Sequence, residues 1–90
     1  METKKVMTGF AIVVCDRGFI YVGKATVSDD FCVIENAKNI RYWGTERGLG
    51  QLALEGPTSK TILDPITTVR VPMRAVISII DTEESKWNSK

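Results

Sequence analysis

The stretch Asn36–Gly50 gathers the residue types that could hold a small polar molecule: Asn36-Ala37-Lys38-Asn39-Ile40-Arg41-Tyr42-Trp43-Gly44-Thr45-Glu46-Arg47-Gly48-Leu49-Gly50. Two adjacent aromatics stand among three cations, amide side chains and glycines that lead toward a helix start. Stacking on an aromatic ring contributes ~1–3 kcal/mol per nucleobase, whichever base it is. Arginine forks and the free N–H groups of a helix N-terminus suit phosphate. A second polar loop, Thr58-Ser59-Lys60-Thr61, could complete such a pocket with Arg47 or Arg70. In this reading Tyr42 or Trp43 stacks on a base, and Arg41, Arg47 and Lys60 neutralise phosphate. Thr45 or Ser59 donates hydrogen bonds. An ordinary structural account competes with it. Neighbouring strand residues face opposite ways, so one of Tyr42 and Trp43 belongs in the core, while the glycines make a turn and the cations are solvated. Gly44, Gly48 and Gly50 do not have the spacing of a phosphate loop.

Catalysis has little to work with. The chain contains no histidine, which removes the commonest general base, the serine–histidine–aspartate logic and most catalytic metal sites. The carboxylates (Asp16, Asp29, Asp30, Glu35, Glu46, Glu55, Asp64, Asp81, Glu83, Glu84) fall mostly in turns or near the C-terminus. Solvated turn and cap residues account for them better than an acid/base pair. Asp29-Asp30 is thin support for a cation site. Cys15 and Cys32 sit in apolar contexts and read as reduced, core-facing thiols, and two thiols without histidine make a poor zinc site. The expectation is a protein that is not an enzyme and carries no metal or cofactor.

With 90 residues, 43% of them apolar and 26% charged, the chain has the profile of one small globular domain. A net charge of +1 exerts no long-range pull on nucleic acid or anionic membrane, so general nucleic-acid binding is not expected. No apolar run approaches the ~20 residues that a membrane-spanning helix needs. The apolar stretch ending at Val14 is broken by Thr8 and Gly9 and runs into Cys15-Asp16-Arg17 without a small-residue cleavage pattern, unlike a signal peptide. A cytoplasmic location, with no membrane association, is the expectation.

The elements that must position these groups are mainly strands. Residues 1–5 read as a flexible N-terminus, residues 6–81 as a single β-rich domain and residues 82–90 as a polar C-terminal tail. Strands are expected over 6–15, 19–27, 31–35 and 40–43, from their β-branched and aromatic content. They are separated by turns at Asp16-Arg17-Gly18 and Ser28-Asp29-Asp30 and by a polar link, Asn36-Ala37-Lys38-Asn39. Such short connections dictate antiparallel neighbours. Leu49, Leu52 and Ala53 at helical spacing predict one short helix over 46–55, with Thr45 as a possible N-cap and Gly56-Pro57 as its stop. Residues 57–65 read as a loop, 69–73 as extended and 75–80 as the closing strand. Trp87 is either a docking anchor or a disordered residue. The fold class expected is mainly β (or α+β), a small antiparallel sheet or barrel-like meander of five to six strands with one short helix.

The first and last strands do not alternate apolar with polar. Phe10, Ile12 and Val14 share one face of the first, while Ala11, Val13 and Cys15 share the other. On the last, Ile77 and Ile79 oppose Val76, Ser78 and Ile80. A half-exposed strand would alternate. Either the sheet folds over itself or a second copy covers it, and a homo-oligomer is the structural expectation.

The segment Asn36–Gly56 resembles a family of small phage- and prophage-encoded domains of unknown function. The likeness lies in Asn36-Ala37-Lys38, Ile40, Tyr42-Trp43, and Leu49, Leu52-Ala53 and Gly56, and with the flanking strands it covers most of residues 9–80. The resemblance implies a phage origin and no particular activity. Small phage proteins without catalytic groups often bind a host protein or capture nucleotide signals of bacterial defence systems. The function expected is therefore an anti-defence sponge that sequesters a nucleotide-derived signal, cyclic or linear, in the host cytoplasm. The alternative is an oligomeric protein-interaction module that inhibits a host protein or serves as a minor structural phage part.

Overall fold

In the computed structural model, which describes residues 7–88, the chain forms one six-stranded antiparallel sheet with two helices. The mainly-β expectation holds. The elements are β1 (Met7–Cys15), β2 (Ile20–Val27), β3 (Phe31–Tyr42), α1 (Gly48–Glu55), β4 (Ile62–Pro65), β5 (Val69–Pro72), β6 (Val76–Asp81) and α2 (Glu84–Asn88). Single helical turns at Asp16–Gly18 and Met73–Ala75 link β1 to β2 and β5 to β6. The expected flexible residues 1–5, and Val6 at the start of the first strand, lie outside the described residues, as do Ser89 and Lys90 of the tail.

The strands run β4-β3-β2-β1-β6 across the sheet, and β5 also pairs with β3. β3 is the pivot. Its first half, Phe31–Ile34, pairs with β5, and its second half, Lys38–Tyr42, pairs with β4. Residues 31–42, expected as two strands around a polar link, are thus one strand of 12 residues. The link bends the strand without breaking it. Asn36 adopts a left-handed φ of 51°, which asparagine tolerates better than most residues. On the facing strand the register shifts between Val22 and Lys24. Gly23 lies at that shift, and a Cβ there would stand 2.8 Å from the Glu35 carbonyl oxygen. Only a glycine lets the two backbones approach this closely.

Both faces of the sheet are covered from within the chain. Ala11, Val13 and Cys15 of β1 pack with Ala25, Cys32, Ile34, Ala37 and Val71 on one side. The β5–β6 segment closes over this cluster through Val69, Met73, Ala75 and Val76. Ile12, Ile20, Val22 and Ile40 line the other side, where Leu52 and Ala53 of α1 and Trp87 of α2 cover them. The two apolar faces therefore have an internal explanation, part sheet curl and part helix.

Three further expectations change. The helix begins at Gly48, not at residue 46, and the residue at its N-cap is Arg47, whose side chain makes no capping bond. Thr45 is not the cap: its hydroxyl donates to the Gly48 carbonyl at 2.7 Å. Residues 62–65, expected within a loop, form β4. Residues 84–88, expected within a polar tail, form α2, and Trp87 is only 3% exposed. Of the two readings for Trp87, the anchor is what the structure has. Its indole N–H donates to the Thr82 hydroxyl at 2.9 Å, and its ring lies 6.3 Å from that of Phe10.

Candidate functional site

β3 delivers Arg41 and Tyr42 to the end of the sheet, and the chain then leaves strand geometry at Trp43. Alternation no longer applies across that boundary. Both aromatics stay at the surface, Tyr42 57% and Trp43 40% exposed. The expectation that one of them packs in the core is corrected here. The Trp43 ring lies over Gly48 at the start of α1, where an added Cβ would sit 3.6 Å from ring atom Cζ3.

Two threonines clasp the turn after Trp43. The Thr61 hydroxyl donates to the Trp43 carbonyl at 2.7 Å and accepts from the Thr58 N–H at 2.8 Å. The Thr58 hydroxyl donates to the Gly44 carbonyl at 2.8 Å and accepts from the Lys60 N–H at 3.1 Å. Gly44 takes a φ of 70°, and a Cβ on it would lie 2.6 Å from the Lys60 carbonyl carbon. Glycine is required there by both conformation and space. The polar loop 58–61, expected to complete a pocket with its side chains, instead fixes the backbone of residues 43–44.

Arg41, Tyr42, Trp43, Gly44 and Thr45 line a shallow depression of about 210 Å³. Pockets for drug-sized ligands run to roughly 300–1,000 Å³. The depression therefore suits one ring of a ligand and not the whole of a larger one. Of the expected set, Arg41, Tyr42, Trp43 and Thr45 come together here. Arg47, Ser59 and Lys60 do not line it.

Arg41 and Arg47 already have partners. Arg41 makes a fork to Asp64 of β4, Nε to Oδ2 at 2.7 Å and Nη2 to Oδ1 at 3.2 Å. The hydrogen bond from Arg41 holds the Asp64 carboxyl below its ordinary value and raises the guanidinium above its own. Arg47 pairs with Glu55 across α1 at 3.2 Å, and its N–H donates to the Gln51 side chain. Lys60 has no ion-pair partner among the described residues and is exposed. No group of three potential metal-binding side chains occurs among the described residues.

A larger cleft of about 460 Å³ opens elsewhere, lined by residues of β1, β2 and β6 such as Gly9, Ala11, Ala25, Ile79 and Asp81. Nothing in the sequence reading pointed to it. The signal was the run of small residues, Gly9, Ala11 and Ala25, on one face of two paired strands.

Comparison with known proteins finds no match for this chain among family models, curated sequences or solved structures.

Proposed function

We propose that the chain is a non-enzymatic binding protein that sequesters a nucleotide-derived molecule at the depression over residues 41–45. The observation that carries this reading is the exposure of both Tyr42 and Trp43 beside an arginine fork. Surface aromatics of this kind offer a stacking platform for a base, indifferent to its identity. A phosphate on the ligand would exchange with Asp64 at the Arg41 guanidinium. That pair is solvent-exposed, with side chains 63% and 44% accessible, so its loss costs the fold little. Thr45 supports the ligand as an acceptor, because its hydroxyl proton is already given to Gly48. Lys60 supplies an unpaired positive charge nearby, since its backbone packs on Gly44. A phage origin and a role as an anti-defence sponge in the host cytoplasm belong to the same proposal and derive from the resemblance at Asn36–Gly56.

The test is titration calorimetry with a panel of cyclic di- and trinucleotides and ADP-ribose derivatives. Micromolar binding to at least one is expected, weakened by Trp43→Ala. Asp64→Asn releases Arg41 and should tighten a phosphate-bearing ligand by roughly three- to tenfold. Absence of micromolar binding across the panel would sink the proposal.

The second reading, an oligomeric protein-interaction module, is favoured by Leu54, Ile62, Ile66, Ile77 and Ile79, which are all well exposed. A pull-down from host lysate that recovers one stoichiometric protein would support it.

A further inference from the structure

Gly9 has no role in the fold that requires a glycine. It lies inside β1, in a register that runs without a shift from Thr8 opposite Thr26 to Phe10 opposite Lys24. Its φ is not positive, and a Cβ added to it would meet no atom within 4 Å. A glycine inside a strand weakens it, and such a residue marks a bulge, a tight bend or a place where another group comes close. Gly9 has neither bulge nor bend, and no group of the chain stands over it. It borders the cleft of about 460 Å³. β6 ends at Asp81, opposite Ala11, so Gly9 has no β6 residue beside it. Gly9 and Ala11 share a face by alternation, and Ala25 pairs with Gly9, so this part of the sheet carries almost no side-chain bulk. Val27 and Ile79 add apolar walls. Pockets for organic molecules run to roughly 300–1,000 Å³, and the cleft falls in that range.

We propose that this cleft binds a small organic ammonium ion, with its apolar body over Gly9, Ala11 and Ala25 and its cationic nitrogen at the Asp81 carboxylate. Charge selects the class. Among the described residues that line the cleft, Asp81 alone is charged. Its carboxylate makes no ion pair and no side-chain hydrogen bond among the described residues. An anionic ligand would meet that carboxylate as a like charge, and a neutral one would gain nothing from it. Asp81 is exposed, so the nitrogen sits at the mouth of the cleft and neither charge loses all its water. Burial of the apolar body then supplies most of the affinity, and the charge pair supplies the selectivity. The missing side chain at Gly9 keeps the space open. The cleft shares no lining residue with the depression over residues 41–45, so this proposal is independent of the nucleotide reading.

Amide nitrogen–proton NMR titration of the 90-residue protein reads site and affinity together. The probes are phenethylamine and benzyltrimethylammonium, with phenylacetate and 2-phenylethanol as anionic and neutral controls of similar size. Both amines should bind with dissociation constants on the order of 1 mM or below. They should shift the signals of Gly9, Ala11, Ala25 and Asp81 and leave those of Tyr42 and Trp43 in place. Each control should bind roughly three- to tenfold more weakly. Asp81→Asn should weaken the amines by the same factor and leave 2-phenylethanol unchanged, which a general loosening of the site would not do. Gly9→Leu places a side chain in the cleft and should abolish binding of every probe. Well-dispersed spectra confirm that each variant is folded, and Asp81→Asn carries the test if Gly9→Leu does not fold. No amine binding at about 10 mM would overturn the proposal. So would shifts centred on residues 41–45, equal affinity for amines and controls, or an Asp81→Asn variant that binds the amines as the parent does.

Discussion

Trp87 is the clearest place to test how the C-terminal residues contribute to stability. α2 has five residues, far too few to hold a helix in water on local propensity. It must be held by what its one large apolar side chain buries. Trp87→Ala removes a ring that is 3% exposed, belongs to the buried cluster that includes Ile12, Val22 and Leu52, and lies 6.3 Å from the Phe10 ring. Truncations of this kind cost about 3–5 kcal/mol. The Thr82 hydroxyl also loses the indole N–H while still donating to the Ala53 carbonyl. A domain of this length is stable by only about 5–13 kcal/mol in total, so the variant loses a large share of its margin. Urea unfolding followed by far-ultraviolet circular dichroism should show the midpoint falling sharply with little change in slope. Trp87→Phe should recover most of the loss, leaving about 1 kcal/mol for the missing hydrogen bond. Fluorescence gives an independent check, because Trp43→Phe leaves Trp87 as the single emitter. Its emission should be that of a buried indole and should shift to the red on unfolding. A Trp87→Ala variant within about 1 kcal/mol of the parent, or a water-exposed spectrum in Trp43→Phe, would refute the packing argument.

Thr61→Val keeps the shape of the clasp but removes a donor to the Trp43 carbonyl and an acceptor for the Thr58 N–H; it should cost about 1–3 kcal/mol in chemical denaturation and change Trp43 emission, whereas Thr61→Ser should do neither. Burial raises the Cys15 and Cys32 thiols above their ordinary values, and for Cys15 the nearby Cys32 and Asp16 add to the effect. The unfolded chain therefore ionises its thiols first. Their contribution to stability is intact below the ordinary thiol value and is lost as pH rises from there through the raised folded values. Alkaline unfolding midpoints should fall over that window, and a Cys15→Ala/Cys32→Ala variant should show a shallower fall; an identical slope in both proteins would count against the assignment. The same burial predicts slow labelling of both thiols by an aromatic disulfide reagent until the protein is unfolded.

How much of this was legible in the sequence depends on whether the signal was local. β1 and β2 were readable because β-branched runs flank a turn, and Gly18 carries the positive φ that the turn needs. α1 was readable from Leu49, Leu52 and Gly56, with its start misplaced by two residues because Thr45 and Glu46 imitate a cap. The bend in β3 was read as a link, since Asn36-Ala37-Lys38-Asn39 has turn composition. Its buried residue Ala37 is too small to betray a core position. β4 is four residues long, with an acid and a proline among them, and it is held by pairing with β3. α2 depends on a single tryptophan in a polar stretch. Neither of these last two has a periodicity to detect.

The candidate site shows the same division in a sharper form. Residue types alone brought Arg41, Tyr42, Trp43 and Thr45 onto one list, and they do share one depression. What composition could not convey is that Asp64, 23 residues later, is already bound to Arg41. The partner comes from β4, the strand that the sequence conceals, so the pairing was invisible for the same reason as the strand. The consequence is chemical. A paired guanidinium presents less net charge to an approaching phosphate than a free one, so Arg41 would add little long-range attraction. Under the proposed nucleotide reading, affinity would come from stacking on Tyr42 or Trp43, and the phosphate would compete with Asp64 at short range. A ligand with a base and a phosphate both within reach of the depression satisfies those two demands together, whereas inorganic phosphate or a free base satisfies only one.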